Sequence, residues 1–361
     1  MLTIPELVRA ACGPGPTAAR SAARLMSVLA DAPHRLPEVF HAAARVSPGE
    51  VDRLLMPRML VGITGAPGSG KSTLTDALIR AYRQRHPAYR LGVVAVDPSS
   101  PFTGGAVLGD RVRMMRHATD PLVFVRSMAS RGHLGGLALG VKGVIRVMGL
   151  IGCEVVFVET VGVGQSEVEV ASVADLVMIV LAPGQGDSIQ LLKAGLMEIG
   201  DLFIVNKADR PDAARLHADL LSMLRIAQAD PFGHHAGLPA EEDADQDLAW
   251  GPLITRRPGT NIEPRTYLVS GEQGQGVEDL VSGLDDLAST HAPGWQQQRR
   301  QMIAEEVREA VLEEAGRRVR QTLRGMGEGQ EPVAAVLGGA LSVGDAAARL
   351  LRETCQQKGQ A

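Results

Sequence analysis

The sequence predicts an α/β chain built on a doubly wound, mainly parallel sheet with helical extensions at both ends. Three observations lead there. Between residues 59 and 269, apolar runs continuous in Val, Ile and Leu alternate with helical stretches, as buried parallel strands alternate with crossover helices. The first run, Met59–Thr64, leads straight into the glycine-rich turn Gly65-Ala66-Pro67-Gly68-Ser69-Gly70, and a helix pattern follows. Outside that span the spacing is helical, rich in Ala, Leu and Arg.

Residues 1–56 are expected to form an N-terminal helical extension. Leu25, Val28 and Leu29 recur at helical spacing, and Gly13-Pro14-Gly15-Pro16 and Ala32-Pro33 divide the stretch into short helices. No catalytic group is expected in it. The α/β domain is expected over residues 57–291, with strands at 59–64, 91–97, 122–126, 154–160, 175–182, 202–206 and 266–269. In a doubly wound sheet, ligands bind at the carboxyl ends of the strands. A helical arm is expected over residues 292–361.

Each strand end that matters carries a motif. Gly65 to Thr73 reads G-x-x-x-x-G-K-[ST], which in a strand–turn–helix context is the phosphate loop of a P-loop NTPase. A di- or triphosphate needs many N–H donors at short range, and Gly65, Gly68 and Gly70 free the backbone to curl around it. The helix beginning near Ser72 points its positive end at the anion, Lys71 adds a point charge, and Ser72 offers a hydroxyl to Mg²⁺. The second motif is Asp97 at the end of Leu91–Asp97, followed by Pro98-Ser-Ser-Pro-Phe-Thr-Gly-Gly105 and Leu108-Gly109-Asp110-Arg111. A carboxylate there holds Mg²⁺ or orients the attacking water; the plainer alternative is a turn-forming Asp before Pro98.

In the third, the apolar run Glu154–Thr160 carries Glu159 at its carboxyl end with Gly162 three residues on, the spacing of a D-x-x-G switch with Glu in place of Asp. Glu159 would reach Mg²⁺ through water and the Gly162 N–H the γ-phosphate; otherwise Glu159 caps a turn. The fourth, Asn206-Lys207-Ala208-Asp209, bears on base choice. The Asp209 carboxylate accepts from guanine N1–H and the 2-amino group, two bonds that adenine does not offer. The stretch Ser270-Gly271-Glu272 lies where a backbone loop contacts guanine O6.

Composition narrows the class. With 45% hydrophobic and 22% charged residues the chain can bury a full core. A net charge of −4 and a pI near 6.2 leave no electrostatic reason to expect nucleic acid. Arg146 and Glu154 interrupt the longest apolar stretch, so no membrane span is expected, and no export signal is read at the N-terminus. Cys12, Cys153 and Cys355 are far apart, fitting reduced thiols in a cytoplasmic protein. Trp250 and Trp295 are expected at the periphery.

Taken together, G-A-P-G-S-G-K-S-T, V-D-P-S-S-P-F-T-G-G, L-G-D-R-V-R-M (108–114), R-S-M-A-S-R-G-H-L-G-G-L-A (126–138), V-E-T-V-G-V-G-Q-S-E (158–167) and N-K-A-D resemble the ArgK/MeaB/MMAA group of P-loop GTPases. The resemblance to this methylmalonyl-CoA mutase-associated family runs over residues 59–290. It implies a homodimeric, GTP-hydrolysing chaperone that gates adenosylcobalamin delivery to an acyl-CoA mutase and protects it. By motif match, residues 65–73 hold the phosphates of GTP or GDP, Asp97, Asp110 and Glu159 serve Mg²⁺ and catalysis, and Asp209 with Ser270 reads the base. The helix near 297–325 and Leu341–Leu351 look like the family's dimerisation arm. Gly184 to Lys193 matches a third mobile loop, with Lys193-Ala194 where relatives carry two adjacent lysines. A Pro- and Asp/Glu-rich span, Pro231 to Pro264, reads as an inserted loop.

Two other functions are weighed. A nickel metallochaperone of the related class needs a His- or Cys-containing metal site, and His234-His235 reads instead as a solvated pair. A kinase regulating basic amino-acid uptake needs a base for an acceptor hydroxyl, and nothing resembles that element. Arg111, Arg113, Arg126 and Arg131 are candidate phosphate fingers, although such arginines are more often surface charges.

Overall fold

A computed structural model of the protein describes residues 2–46, 56–98, 117, 119–130, 139–160, 173–184, 199–229, 262–323 and 331–356. Within them the seven expected strands all form: β1 (Met59–Thr64), β2 (Arg90–Pro98), β3 (Val123–Ser130), β4 (Cys153–Thr160), β5 (Leu176–Leu181), β6 (Leu202–Val205) and β7 (Arg265–Leu268). Every pairing among them is parallel, and the order is β3-β2-β4-β1-β5-β6-β7. From β1 the chain winds to one side as far as β3, returns through β4, and then winds to the other side through β5, β6 and β7. The sheet is therefore doubly wound, and its switch point lies at the carboxyl end of β1.

Burial explains why continuous apolar runs became strands. All six residues of β1 and of β5 are buried, so neither face of those strands needs polar side chains. β3 runs to Ser130, past its expected end at 126, because β2 pairs with it residue for residue up to Asp97–Ala129 and Pro98–Ser130. Two acids hold the amino ends in register. Asp175 accepts from the Leu60 N–H at 2.7 Å and Asp201 from the Val177 N–H at 2.8 Å. Both are buried, which makes them structural acids of the strand edges.

Helix α4 (Lys71–Arg85) follows β1 and sends Leu74, Leu78 and Tyr82 into a core with Ile63, Phe157 and Val180. Of the N-terminal helices α1 (Ile4–Ala11), α2 (Pro16–Asp31) and α3 (Leu36–Val46), α2 packs on α5 (Leu139–Leu150), and α1 packs on α2 and α3. Glycine makes the α2–α5 approach possible: a Cβ on Gly140 would lie 3.1 Å from the Ala30 Cα, and one on Gly143 3.0 Å from the Leu29 Cβ. The Arg146 guanidinium of α5 sits 5.9 Å over the Phe40 ring of α3. Helix α6 (Ala213–Ala229) lies between β6 and β7 in the chain.

Contacts divide the chain into two units, residues 1–295 and 296–361. The long helix α7 (Val277–Leu323) begins in the first, where Leu280, Leu284 and Leu287 join the α4 core. Trp295 belongs to that core at 2% exposure, which corrects its expected peripheral position. Its neighbours Gly294 and Gln296–Gln298 give no apolar pattern, but the helix turns the indole inward. The second unit holds the rest of α7, then α8 (Glu331–Leu337) and α9 (Val343–Gln356), whose first turn is capped by Ser342 accepting from the Asp345 N–H at 3.1 Å. No helix among the described residues is long and apolar enough to cross a membrane. Trp250, His234-His235, most of Pro231–Pro264, Arg111, Arg113, Arg131 and the Lys193 loop lie outside the described residues.

Candidate functional site

The turn after β1 closes over the switch point because only glycine fits there. A Cβ on Gly65 would fall 2.2 Å from the Val180 carbonyl oxygen, and Gly68 and Gly70 have φ of +77° and +89°. Lys71 starts α4, is 6% exposed, and donates from Nζ to the Gly65 and Ala66 carbonyls at 2.7 and 3.0 Å. Its cation is thus held over the mouth of the turn, beside the positive end of the helix. The arrangement offers backbone N–H groups, a helix terminus and a buried ammonium to one anion. Ala66, Pro67, Ser69 and Thr73 complete the turn and the first residues of the helix.

Across the turn stands Glu159. Register puts Ile63 of β1 and Ala95 of β2 on either side of it, at the carboxyl end of the central strand β4. Its side chain is 1% exposed and faces α4, where Ser72 Oγ donates to Oε1 at 2.5 Å and Thr75 Oγ1 approaches Oε2 at 3.3 Å. A buried carboxylate requires such donors, and hard oxygen groups gathered this way are the donor set that Mg²⁺ takes. Thr75 carried no motif signal in the sequence. It lies three residues after Ser72, on the same face of the helix, and only the position of β4 reveals it.

The other wall comes from the ends of β6 and β7. Asn206 donates from Nδ2 to the Ser69 and Gly70 carbonyls at 2.9 and 3.3 Å and accepts from the Gly271 N–H at 3.0 Å. One side chain therefore ties two loops together. Lys207, the non-glycine residue with positive φ at +60° among those described, donates from Nζ to the Gly68 carbonyl at 2.8 Å. Ser270 Oγ donates to Asp209 Oδ1 at 2.7 Å, and this bond holds the Asp209 carboxyl below the usual carboxylate range. Gly271 packs so closely on α4 that a Cβ there would lie 3.0 Å from both N and Cα of Leu74. Glu272 follows on the exposed side of that loop.

So Lys71, Ser72, Glu159, Asn206, Lys207, Asp209 and Ser270 converge on one crevice. Asp97 is the last residue but one of β2, at the same carboxyl end of the sheet, and its side chain is outside the described residues, as are Asp110 and Gly162. The model of the family described as methylmalonyl Co-A mutase-associated GTPase MeaB matches residues 55–323. The chain belongs to this MeaB family. A Pyrococcus horikoshii protein assigned as a GTPase is 42% identical over 266 residues, 73% of this chain and 75% of that one. GTPase ArgK of Escherichia coli is 36% identical over 241 residues, 64% and 70% of the two chains. The methylmalonic aciduria type A homolog of Caenorhabditis elegans is 38% identical over 169 residues, 46% and 42% of the two. The fold is also like that of the crystal structure of a LAO/AO transport system kinase, with a TM-score of 0.53 at 23% identity, covering 99% of this chain and 100% of that one. This MeaB-family chain is a P-loop GTPase that binds guanine nucleotide.

Proposed function

We propose that this GTPase is the gating chaperone of an adenosylcobalamin-dependent acyl-CoA mutase, with methylmalonyl-CoA mutase as the client. The family match over residues 55–323 is the observation that carries the client assignment. The relative named a methylmalonic aciduria type A homolog supports it.

The chemistry of turnover follows from the crevice. Residues 65–73 bind the phosphates, with Lys71 on the terminal ones. Ser72 and Glu159 fit Mg²⁺ through hard, buried oxygens, and Asp97 and Asp110 complete its surroundings in this reading. Mg²⁺ bound there would neutralise charge on the β- and γ-phosphate oxygens. Gly162, outside the described residues, is assigned in this reading to give its N–H to the γ-phosphate. Asp209, oriented by Ser270, accepts from the guanine edge, while Asn206, Lys207, Gly271 and Glu272 support the base-side loop. Hydrolysis by the free chain is slow, on the order of 10⁻⁴ to 10⁻² s⁻¹, until a partner completes the site.

Residues 1–56 act in this reading as a helical extension of the GTPase domain at 57–291, and residues 292–361 as the arm of a homodimer in the cytoplasm. The test measures GTP turnover with and without methylmalonyl-CoA or isobutyryl-CoA mutase from the same cell, alongside nucleotide-dependent co-elution. Stimulated turnover and co-elution with one mutase are expected. A rate that neither mutase changes, with no binding in any nucleotide state, removes the chaperone role and leaves the GTPase.

A further inference from the structure

Thr75 is fully buried on α4 and its hydroxyl has two acceptors within reach, the Lys71 carbonyl at 3.0 Å and Glu159 Oε2 at 3.3 Å. A hydroxyl has one proton to give. The Lys71 carbonyl is already the regular helical acceptor for the Thr75 N–H, so a second donor adds little there. Glu159 Oε2 is a carboxylate oxygen at 1% exposure, where a donated proton is worth about twice a neutral hydrogen bond.

We propose that Thr75 is a positioning residue for GTP hydrolysis: it fixes the Glu159 carboxylate from the P-loop helix. The inference rests on the reading of Glu159 as the carboxylate that serves Mg²⁺. Glu has one more rotatable bond than the Asp of a D-x-x-G element, so its carboxylate needs a second restraint to hold one orientation. Ser72 and Thr75 supply one each, on Oε1 and Oε2, from positions three apart on one helical face. Their division of labour has a consequence. Ser72 gives its proton to Glu159 while an oxygen lone pair stays open to the metal, so it couples the two, and Thr75 fixes the other carboxylate oxygen.

The test uses the full chain in four forms: wild type, Thr75→Val, Thr75→Ser and Glu159→Gln. Steady-state GTP hydrolysis is measured together with Mg²⁺ titration of a bound fluorescent GTP analogue, and Tm is recorded for each. Thr75→Val keeps the shape and is expected to lower kcat about tenfold and to raise the half-saturating Mg²⁺ concentration several-fold, with KM for GTP unchanged. Thr75→Ser, which keeps the hydroxyl, stays within about twofold of wild type in both readings. Wild-type kcat and Mg²⁺ dependence in Thr75→Val, with Glu159→Gln inactive, overturn the positioning role and leave the reading of Glu159 standing. Wild-type turnover in Glu159→Gln overturns both. Equal impairment of the Ser and Val forms overturns the role as well, since the hydroxyl is then not what matters. Should Thr75→Val fail to fold, Thr75→Ala decides in the same assays, with wild-type behaviour overturning the proposal.

Discussion

At the Asp209 carboxylate, the 2.7 Å bond from Ser270 orients one oxygen and favours the charged form. Two consequences follow for the base-reading role. Replacing Asp209 by Asn swaps an acceptor for a donor opposite the guanine N1–H and 2-amino group. GDP affinity should fall by about 30-fold or more, from ~2 kcal/mol of mismatched polar contacts, and xanthosine diphosphate, with a 2-oxo group, should gain. Calorimetric titration with both nucleotides checks this, and unchanged GDP affinity would end the base-reading role. The second consequence concerns pH. A lowered pKa means the carboxylate's contribution is present above its unfolded value and is lost only as pH falls through the folded one. Guanine affinity should therefore stay level from neutral pH down to about 5 and decline below the usual carboxylate range, with Ser270→Ala moving that decline upward. Asn206 and Asp209 were legible because N-K-x-D falls at a strand end. Thr75 was not, because nothing in Lys71-Ser72-Thr73-Leu74-Thr75 marks it and its partner lies on another strand.

Among the elements, the strands were readable and the helix contacts were not. Buried parallel strands leave a simple record, continuous Val, Ile and Leu, because both faces are covered. The far end of β3, Ser127–Ser130, left none, since its extension depends on pairing with β2. The N-terminal helices were legible as helices, but their seat on α5 is written in two glycines whose meaning is tertiary. Leu29 is fully buried where Gly143 admits it. Leu29→Ala removes that packing and should cost about 2–5 kcal/mol, because the rigid α5 backbone cannot collapse into the space. Gly143→Ala pushes a Cβ to 3.0 Å from Leu29 Cβ and should destabilise by about 1–3 kcal/mol. Denaturant melts of both variants test this. Unchanged midpoints would mean that α2 does not depend on this seat.

On the scale of the molecule, the question is where the nucleotide-binding unit ends. The sequence expectation stops it at residue 291, before Pro293-Gly294, a sensible breakpoint by turn chemistry. The structure carries α7 through Pro293 and buries Trp295 in the core that also holds Leu74, Leu78 and Tyr82 of the phosphate-loop helix. The indole shares its core with α4, and α4 presents Lys71, Ser72 and Thr75 to the crevice. Deleting it should cost about 3–5 kcal/mol, as removal of a large buried aromatic does. Two shortened chains separate the possibilities. One ending at Trp295 keeps the whole core and should bind GDP like the full chain; one ending at 291 should melt about 10 °C lower and bind GDP more weakly, through a loosened α4. Trp295→Ala in the full chain should reproduce the loss of stability without any truncation. If the chain ending at 291 matches the chain ending at 295 in both Tm and GDP affinity, Trp295 is a passenger in that core and the unit closes without it.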